Sequence, residues 1–269
     1  MKFLRFLPLL LLAACASLSP PPVPVPPVVD PCPKETANIR RNSCVAIQAS
    51  AGPLAAVFAW ADGVNTWPKG AGGIAEVSVQ FLQGSEWSRQ MVWKRMNIID
   101  QYAEGLQFRQ VDHGEEGDIQ ISFSCAGHWS YLGRQALRRP AGTSSMNIGL
   151  DRHHDNREWD RVVLHETLHA IGFEHEHQHP QAEIPWDGEA VYQFYERTQG
   201  WDRKMVDFQV LNRAAPKQLR TTGFDDGSIM MYPVPSQLTT NGYSVGWNTR
   251  LTPGDIALIR QLYPAPEVN

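Results

Sequence analysis

The chain has no apolar run approaching the roughly 20 residues a helix needs to cross a bilayer. It has no internal repeat and only four cysteines in 269 residues. A transmembrane bundle, a solenoid and a small disulfide-built fold are thereby excluded. An excess of one charge is also lacking: 24 Lys and Arg against 28 Asp and Glu leave a net charge of −4. Nothing marks a nucleic-acid surface, so no nucleic acid is expected as a partner. The length suits one sizeable domain with appendages and ample chain for a core.

At the N-terminus, Lys2 and Arg5 precede the apolar run Phe6 to Leu12, which Leu12-Ala13-Ala14-Cys15 closes. The run is too short to span, and the closing residues resemble a bacterial lipoprotein lipobox. The resemblance implies a signal peptide over 1–14 and lipidation of Cys15. Two or more acyl chains suffice for stable membrane anchoring. It also implies an exported lipoprotein of the cell envelope, at the outer membrane or facing the periplasm. An ordinary secretory signal ending near Ala14 or Ala16 is the alternative. Over 15–33 the chain carries Pro20, Pro21, Pro22, Pro24, Pro26, Pro27, Pro31 and Pro33. Such a run favours extended polyproline II and should act as a semi-rigid tether reaching roughly 40 Å. An N-terminal segment over 34–69 and a catalytic domain over 70–266 would follow.

Residues 165–176 constrain the chemistry most: His-Glu-Thr-Leu-His-Ala-Ile-Gly-Phe-Glu-His-Glu. On a helix His165 and His169 lie one turn apart on one face, so two imidazoles can converge on one ion, with Glu166 beside them. Gly172 suits a sharp exit from the helix through a left-handed residue, which brings His175 back as third ligand. Three nitrogens leave a fourth tetrahedral position open for water. Requiring Gly172 and His175 beside the histidine pair cuts chance matches by roughly a few hundredfold. The spacing predicts a helix over about 156 to 172. Asp155 would cap it, Glu158 would complete a capping box, and Leu164, Leu168 and Ile171 would form its buried stripe.

A second segment, Ser228-Ile229-Met230-Met231-Tyr232-Pro233, follows an Asp225-Asp226-Gly227 turn signal. With 165–176 it resembles the metzincin metallopeptidases, and among them the astacin family. The resemblance implies one Zn2+ per chain held by His165, His169 and His175. It makes Met230 the apolar floor beneath the metal in a methionine turn, and Tyr232 a fifth ligand that swings to hydrogen-bond the transition state. Glu176, directly after the third histidine, is astacin-like as well. In the family this glutamate meets the buried mature N-terminus, a partner that an acylated Cys15 would deny it. His177 or Arg134 could then take that place. Trp129-Ser130-Tyr131-Leu132-Gly133-Arg134 resembles the strand above the zinc, which offers Trp129, Ser130 and Tyr131 to substrate. Leu251-Thr252-Pro253-Gly254-Asp255 resembles the start of the family's last helix, ending near Leu262-Tyr263. The similarity spans about 70 to 264. Two departures place the chain on an outlying, bacterial branch. His177-Gln178-His179-Pro180 stands where astacins have an arginine-rich segment, and only Cys125 lies in the region where they form two disulfides.

The remaining pattern is α+β. A helix is expected around 46 to 62 and a strand over Ala75 to Leu82, where Val77, Val79 and Phe81 alternate. Ser85 should cap a backing helix that turns Trp87, Met91, Val92, Met96, Ile99 and Tyr102 to the core. Strands follow near 106–112 and 118–124, then an edge segment over 127–134 and a strand over 146–150. A metzincin-like domain results: a twisted mixed sheet, an active-site helix, a backing helix, and a smaller C-terminal subdomain with the methionine turn and final helix. An exposed edge beside the metal can take up an extended peptide by backbone pairing. With Cys15 lipidated, Cys32 and Cys44 are expected to bridge, leaving Cys125 a buried thiol; Cys44 with Cys125 is the competing pair. His113, His128, His153, His154, His177 and His179 read as loop residues outside a ligand set, with His128 beside the substrate strand.

These readings imply a monomeric zinc endopeptidase acting on proteins or peptides, with Glu166 as general base and then general acid. The rival is a lipid-anchored binding or adhesion module with a structural zinc, which would call for a fourth strong protein ligand.

Overall fold

Alternation of Val77, Val79 and Phe81 against polar Glu76, Ser78 and Gln80 builds a central strand that turns one face to the core. The computed structural model describes residues 31–33, 44–47, 61–62, 65–112, 114–213 and 219–267. The signal segment, Cys15, nearly all of the proline tether and His113 lie outside them. In chain order the elements are β1 (Cys44–Ile47), β2 (Ala61–Asp62), β3 (Ala75–Phe81), α1 (Glu86–Asp100), β4 (Leu106–Gln110), β5 (Ile119–Ser122), β6 (His128–Tyr131) and β7 (Met146–Ile148). Then come α2 (Asn156–Ala170), α3 (Gly188–Gln199), α4 (Arg203–Val206), β8 (Leu219–Arg220) and α5 (Pro253–Leu262).

Six strands form one sheet in the order β1-β6-β7-β5-β3-β4, and β2 pairs with β8. All neighbours in the large sheet run parallel except β6 and β7. The expected mixed sheet backed by two helices is therefore present. Ser85 caps α1 by accepting from Ser88 N at 3.1 Å, and Val92, Met96 and Ile99 are fully buried. α1 and α2 are joined by an edge-to-face contact between Trp87 and Trp159, with centroids 5.4 Å apart, and by Arg95 with Asp160 at 2.8 Å.

Four expectations change here. Residues 46–47 and 61–62, expected within a helix, lie in β1 and β2, and the β-branched Val45 and Ile47 suit a strand; 48–60 fall outside the described residues. The segment 127–134 is not the sheet edge, because β1 lies outside β6 in register from Cys44 against His128 to Ile47 against Tyr131. The chain's own N-terminal segment thus satisfies the backbone groups that an open edge would expose. Cys32 is bonded not to Cys44 but to Cys125, which is therefore no free thiol, with Cα atoms 5.6 Å apart. Loop-closure entropy grows slowly with length, so nearness in sequence was a weak guide to pairing. What decides is the fixed position of Cys125. Its N–H donates to Asn147 Oδ1 at 3.1 Å, while Asn147 Nδ2 donates to Cys125 O and Gly127 O. Pro31 O, next to Cys32, accepts from Ser144 N and Oγ at 2.8 and 2.6 Å, so the segment is held there as well.

The fourth change is at the start of α2. Asp155 caps it, accepting from Glu158 N at 2.8 Å, but Glu158 completes no box: both its oxygens take Arg161, at 2.8 and 2.6 Å. A full charge one turn away outcompetes a backbone N–H for that carboxylate. Among the described residues no helix is long and apolar enough to cross a membrane.

Candidate zinc centre

α2 ends where its ligands are needed. Its last carbonyls would be orphaned in the core, but Trp67 Nε1 donates to Ala170 O at 2.8 Å and Tyr263 OH to Ile171 O at 2.7 Å. Gly172 then takes φ 106°, a conformation strained for any residue with a Cβ. Phe173 N reaches back to Leu168 O at 2.9 Å, the closing bond of a glycine-terminated helix. This turn presents Phe173 O to His169 Nδ1 at 2.7 Å, and Ile229 O lies 2.8 Å from His165 Nδ1. A carbonyl can only accept, so both Nδ1 atoms carry the hydrogen and both Nε2 atoms keep a lone pair.

The three imidazoles face one point. His169 Nε2 and His175 Nε2 are 3.0 Å apart, and one ligand atom from each of His165, His169 and His175 lies within 4.8 Å of the others. All three side chains are buried, and His165 Nε2 has no hydrogen-bond partner. Burial, and for His165 and His175 also the neighbouring rings, holds these two well below the usual imidazole range and His169 at about 4. Three neutral imidazoles with converging ring nitrogens, His165 Nε2 among them without a hydrogen-bond partner, form a cation site, and three nitrogens at this spacing fit zinc. Among the described residues no other group of three His, Cys, Asp or Glu side chains comes together in this way. Glu166 is wholly buried next to His165.

Beneath the imidazoles, Ser228 to Tyr232 forms a tight turn fastened by α5. Asp255 accepts from Ser228 Oγ at 2.6 Å and from Ile229 N at 3.2 Å, and it closes a capping box with Thr252. Ser228 Oγ in turn accepts from Met230 N at 3.0 Å, and Met230 O from Glu176 N at 3.0 Å. Asp255 is a site residue that motif reading passed over, since Leu251-Thr252-Pro253-Gly254-Asp255 pointed only to the start of the last helix. Burial raises its carboxyl above the ordinary range against all of these hydrogen bonds. Met230 and Tyr232 are both buried, and the Tyr232 ring lies 4.2 Å from that of His175.

Several loop assignments are corrected. His177 and His179 are buried: His177 packs against the π-helical turn at 207–211, where its Nε2 donates to Gln209 O at 2.9 Å, and His179 Nε2 lies 2.6 Å from Thr221 Oγ1. His128 is buried too, its Nδ1 accepting from Gly149 N at 3.1 Å, and desolvation drives it to about 3. His153 and His154 are exposed, as expected of loop residues. Trp129, Ser130 and Tyr131 are buried in β6 between β1 and β7. Glu176 meets neither His177 nor Arg134: its Oε1 accepts from Asp225 N at 2.8 Å, in a small cavity also lined by Glu174, Asp225 and Asp255.

Two ligands one turn apart, a glycine exit to a third and a methionine turn below make this a metzincin-type centre. No family-level sequence profile matches the chain. It is 36% identical to myroilysin, whose structure superposes with a TM-score of 0.70 over 75% of this chain and 96% of that one. It is 25% identical over 217 residues to mouse astacin-like metalloendopeptidase, covering 74% of this chain and 43% of the relative. The Medaka hatching enzyme, a zinc protease, is 20% identical with a TM-score of 0.54, and shares the fold. The chain spans less than half the length of the curated relatives it matches. The chain belongs to the astacin-like metzincins.

The buried Glu176 carboxyl gives a pH dependence with a definite sign. Burial lifts it from 4.5 to about 8, so the fold favours its protonated form. Its contribution to stability is complete below the unfolded value and is lost as pH rises through about 8. In chelator-stripped protein, Glu176→Gln should therefore melt higher than the parent at pH 7.5, by ~3 °C or more. The gap should close towards pH 4.5. A variant melting at or below the parent at pH 7.5 would contradict this.

Proposed function

We propose that the chain is a zinc-dependent endopeptidase that cleaves peptide bonds of proteins or peptides. The observation that carries the reading is the meeting of three buried, neutral imidazoles beside the buried carboxyl of Glu166. His165, His169 and His175 would hold the ion through Nε2, their Nδ1–H groups on backbone carbonyls at His165 and His169 fixing the ring planes. Bound there, zinc supplies Lewis acidity, which lowers the pKa of a water towards about 7 and polarises a carbonyl. Glu166 takes the proton from the attacking water and hands it to the leaving amine. The Tyr232 hydroxyl donates to the oxyanion as the tetrahedral carbon forms. Met230 closes the floor of the site.

Glu166→Gln tests the proton transfer directly. Turnover of a fluorogenic peptide should fall by about 10²-fold or more, with zinc still at one per chain. Full activity in that variant would sink the mechanism. No cleavage of any member of a broad peptide library by the zinc-loaded parent would favour a binding or adhesion module.

Substrate enters through β6 in this reading, with Trp129, Ser130 and Tyr131 supplying backbone groups. β1 lies along that same strand, so a peptide has to displace it. Proline removes a ladder donor. Val45→Pro with Ala46→Pro should therefore raise kcat/KM on a peptide spanning the site, by about tenfold if β1 is normally docked. An unchanged or lower value would rule out β6 as the substrate strand.

The reading places the chain in the cell envelope as a monomer anchored by lipid on Cys15, with the proline tether between anchor and domain. Intact mass of the mature protein checks this. Residues 1–14 should be absent and the mass of two or three acyl chains present, whereas an unmodified N-terminus would remove the anchor.

A further inference from the structure

His177 lies two residues beyond the third ligand on a short 3-10 turn, Glu176–Gln178, and is buried. Its ring stacks on that of Tyr232, with centroids 4.3 Å apart and planes 22° from parallel. Tyr232 is packed on another side by His175, at 4.2 Å and 59°. The His177 ring cannot drift, because Nε2–H donates to Gln209 O at 2.9 Å, and Gln178 Nε2 donates to Phe208 O at 2.7 Å in the same π-helical turn. Nδ1, left as the acceptor, is buried and has no hydrogen-bond partner. Leaving a buried acceptor unsatisfied is unfavourable, and a phenylalanine or leucine would fill the space without it. What imidazole adds is a flat face held at a fixed angle by a backbone carbonyl.

We propose that His177 is the positioning residue for Tyr232: its face, fixed from Gln209, holds the phenol ring so that the hydroxyl is presented to the three-imidazole centre. The proposal rests on Tyr232 acting on the oxyanion. It also gives a use to part of the segment that replaces the arginine-rich stretch of other astacins. Gln178 fastens the turn, and His177 converts that fixed backbone into a fixed ring.

Two substitutions separate stacking from anchoring. His177→Phe keeps the flat face and loses the bond to Gln209; His177→Gln keeps a donor for Gln209 and loses the face. In zinc-loaded full-length protein, His177→Gln should lower kcat by about tenfold with KM within about twofold, and His177→Phe, which keeps the face without its anchor, should lower it by less, about threefold. In a Tyr232→Phe background, where no hydroxyl is left to position, His177→Gln should add less than about a twofold loss. The second readout is made on metal-free protein carrying 3-fluorotyrosine, the Tyr232 resonance being assigned by its loss in Tyr232→Phe. That line should be single and sharp in the parent, somewhat broadened in His177→Phe, and split or most broadened in His177→Gln.

A defective His177→Phe beside a normal His177→Gln would overturn the proposal, since the Gln209 bond alone would then matter. So would an equal loss with and without the Tyr232 hydroxyl, or an unchanged resonance in His177→Gln. If Tyr232→Phe lowers kcat while His177→Gln keeps full rate, this inference fails alone. If Tyr232→Phe itself keeps full rate, the oxyanion role fails and takes this inference with it.

Discussion

Two backbone carbonyls decide the chemistry of this molecule. Phe173 O and Ile229 O each hold an Nδ1–H, which turns the Nε2 lone pairs of His169 and His165 inward. In water an imidazole would spend part of its time protonated. Inside the domain, burial removes that option and leaves neutral rings facing one another. Converging buried imidazoles that leave His165 Nε2 without a partner are poor protein interior and a good metal site, so the same burial that opposes an empty centre favours a filled one. Each carbonyl belongs to a different part of the fold, the exit of α2 and the methionine turn, so both must be in place before the centre exists.

The rest of the architecture can be traced back to that requirement. Trp67 and Tyr263, almost two hundred residues apart in the chain, satisfy the last carbonyls of α2 and bring both ends of the domain to one spot. Asp255 caps α5 and grips Ser228 and Ile229, so the final helix fixes the height of the methionine turn. Glu176 N donates to Met230 O, joining the ligand loop to that turn, while its side chain holds Asp225. These are short, buried, directional contacts between segments distant in sequence, which suits a site that has to keep three nitrogens at fixed separations.

The parts of this plan that are local were legible in the sequence. A four-residue histidine spacing on an amphipathic helix, a glycine at its exit and an aspartate cap are all set within a few turns of one helix. Asp155, Gly172 and the triad stand where those rules place them. The features that were not legible depend on partners far away. The four residues of β1 carry no turn signal linking them to β6. Cys32 and Cys125 are 93 residues apart. Histidines 177 and 179 look like loop residues until the turn at 207–211 is seen to cover the first and Thr221 to meet the second. Glu158 shows a local rule losing to a local competitor, since Arg161 one turn on takes the carboxylate that the capping box would have used.

Zinc K-edge X-ray absorption on the loaded protein tests the central claim most directly. Three imidazole nitrogens at about 2.0–2.1 Å, plus light oxygen scatterers and no protein sulfur, are expected for a centre open at one position. Substituting any one of His165, His169 or His175 with Ala should remove one nitrogen shell or the ion itself. A closed set of four protein ligands, or a spectrum unmoved by those substitutions, would mean that the three imidazoles are not the catalytic zinc centre.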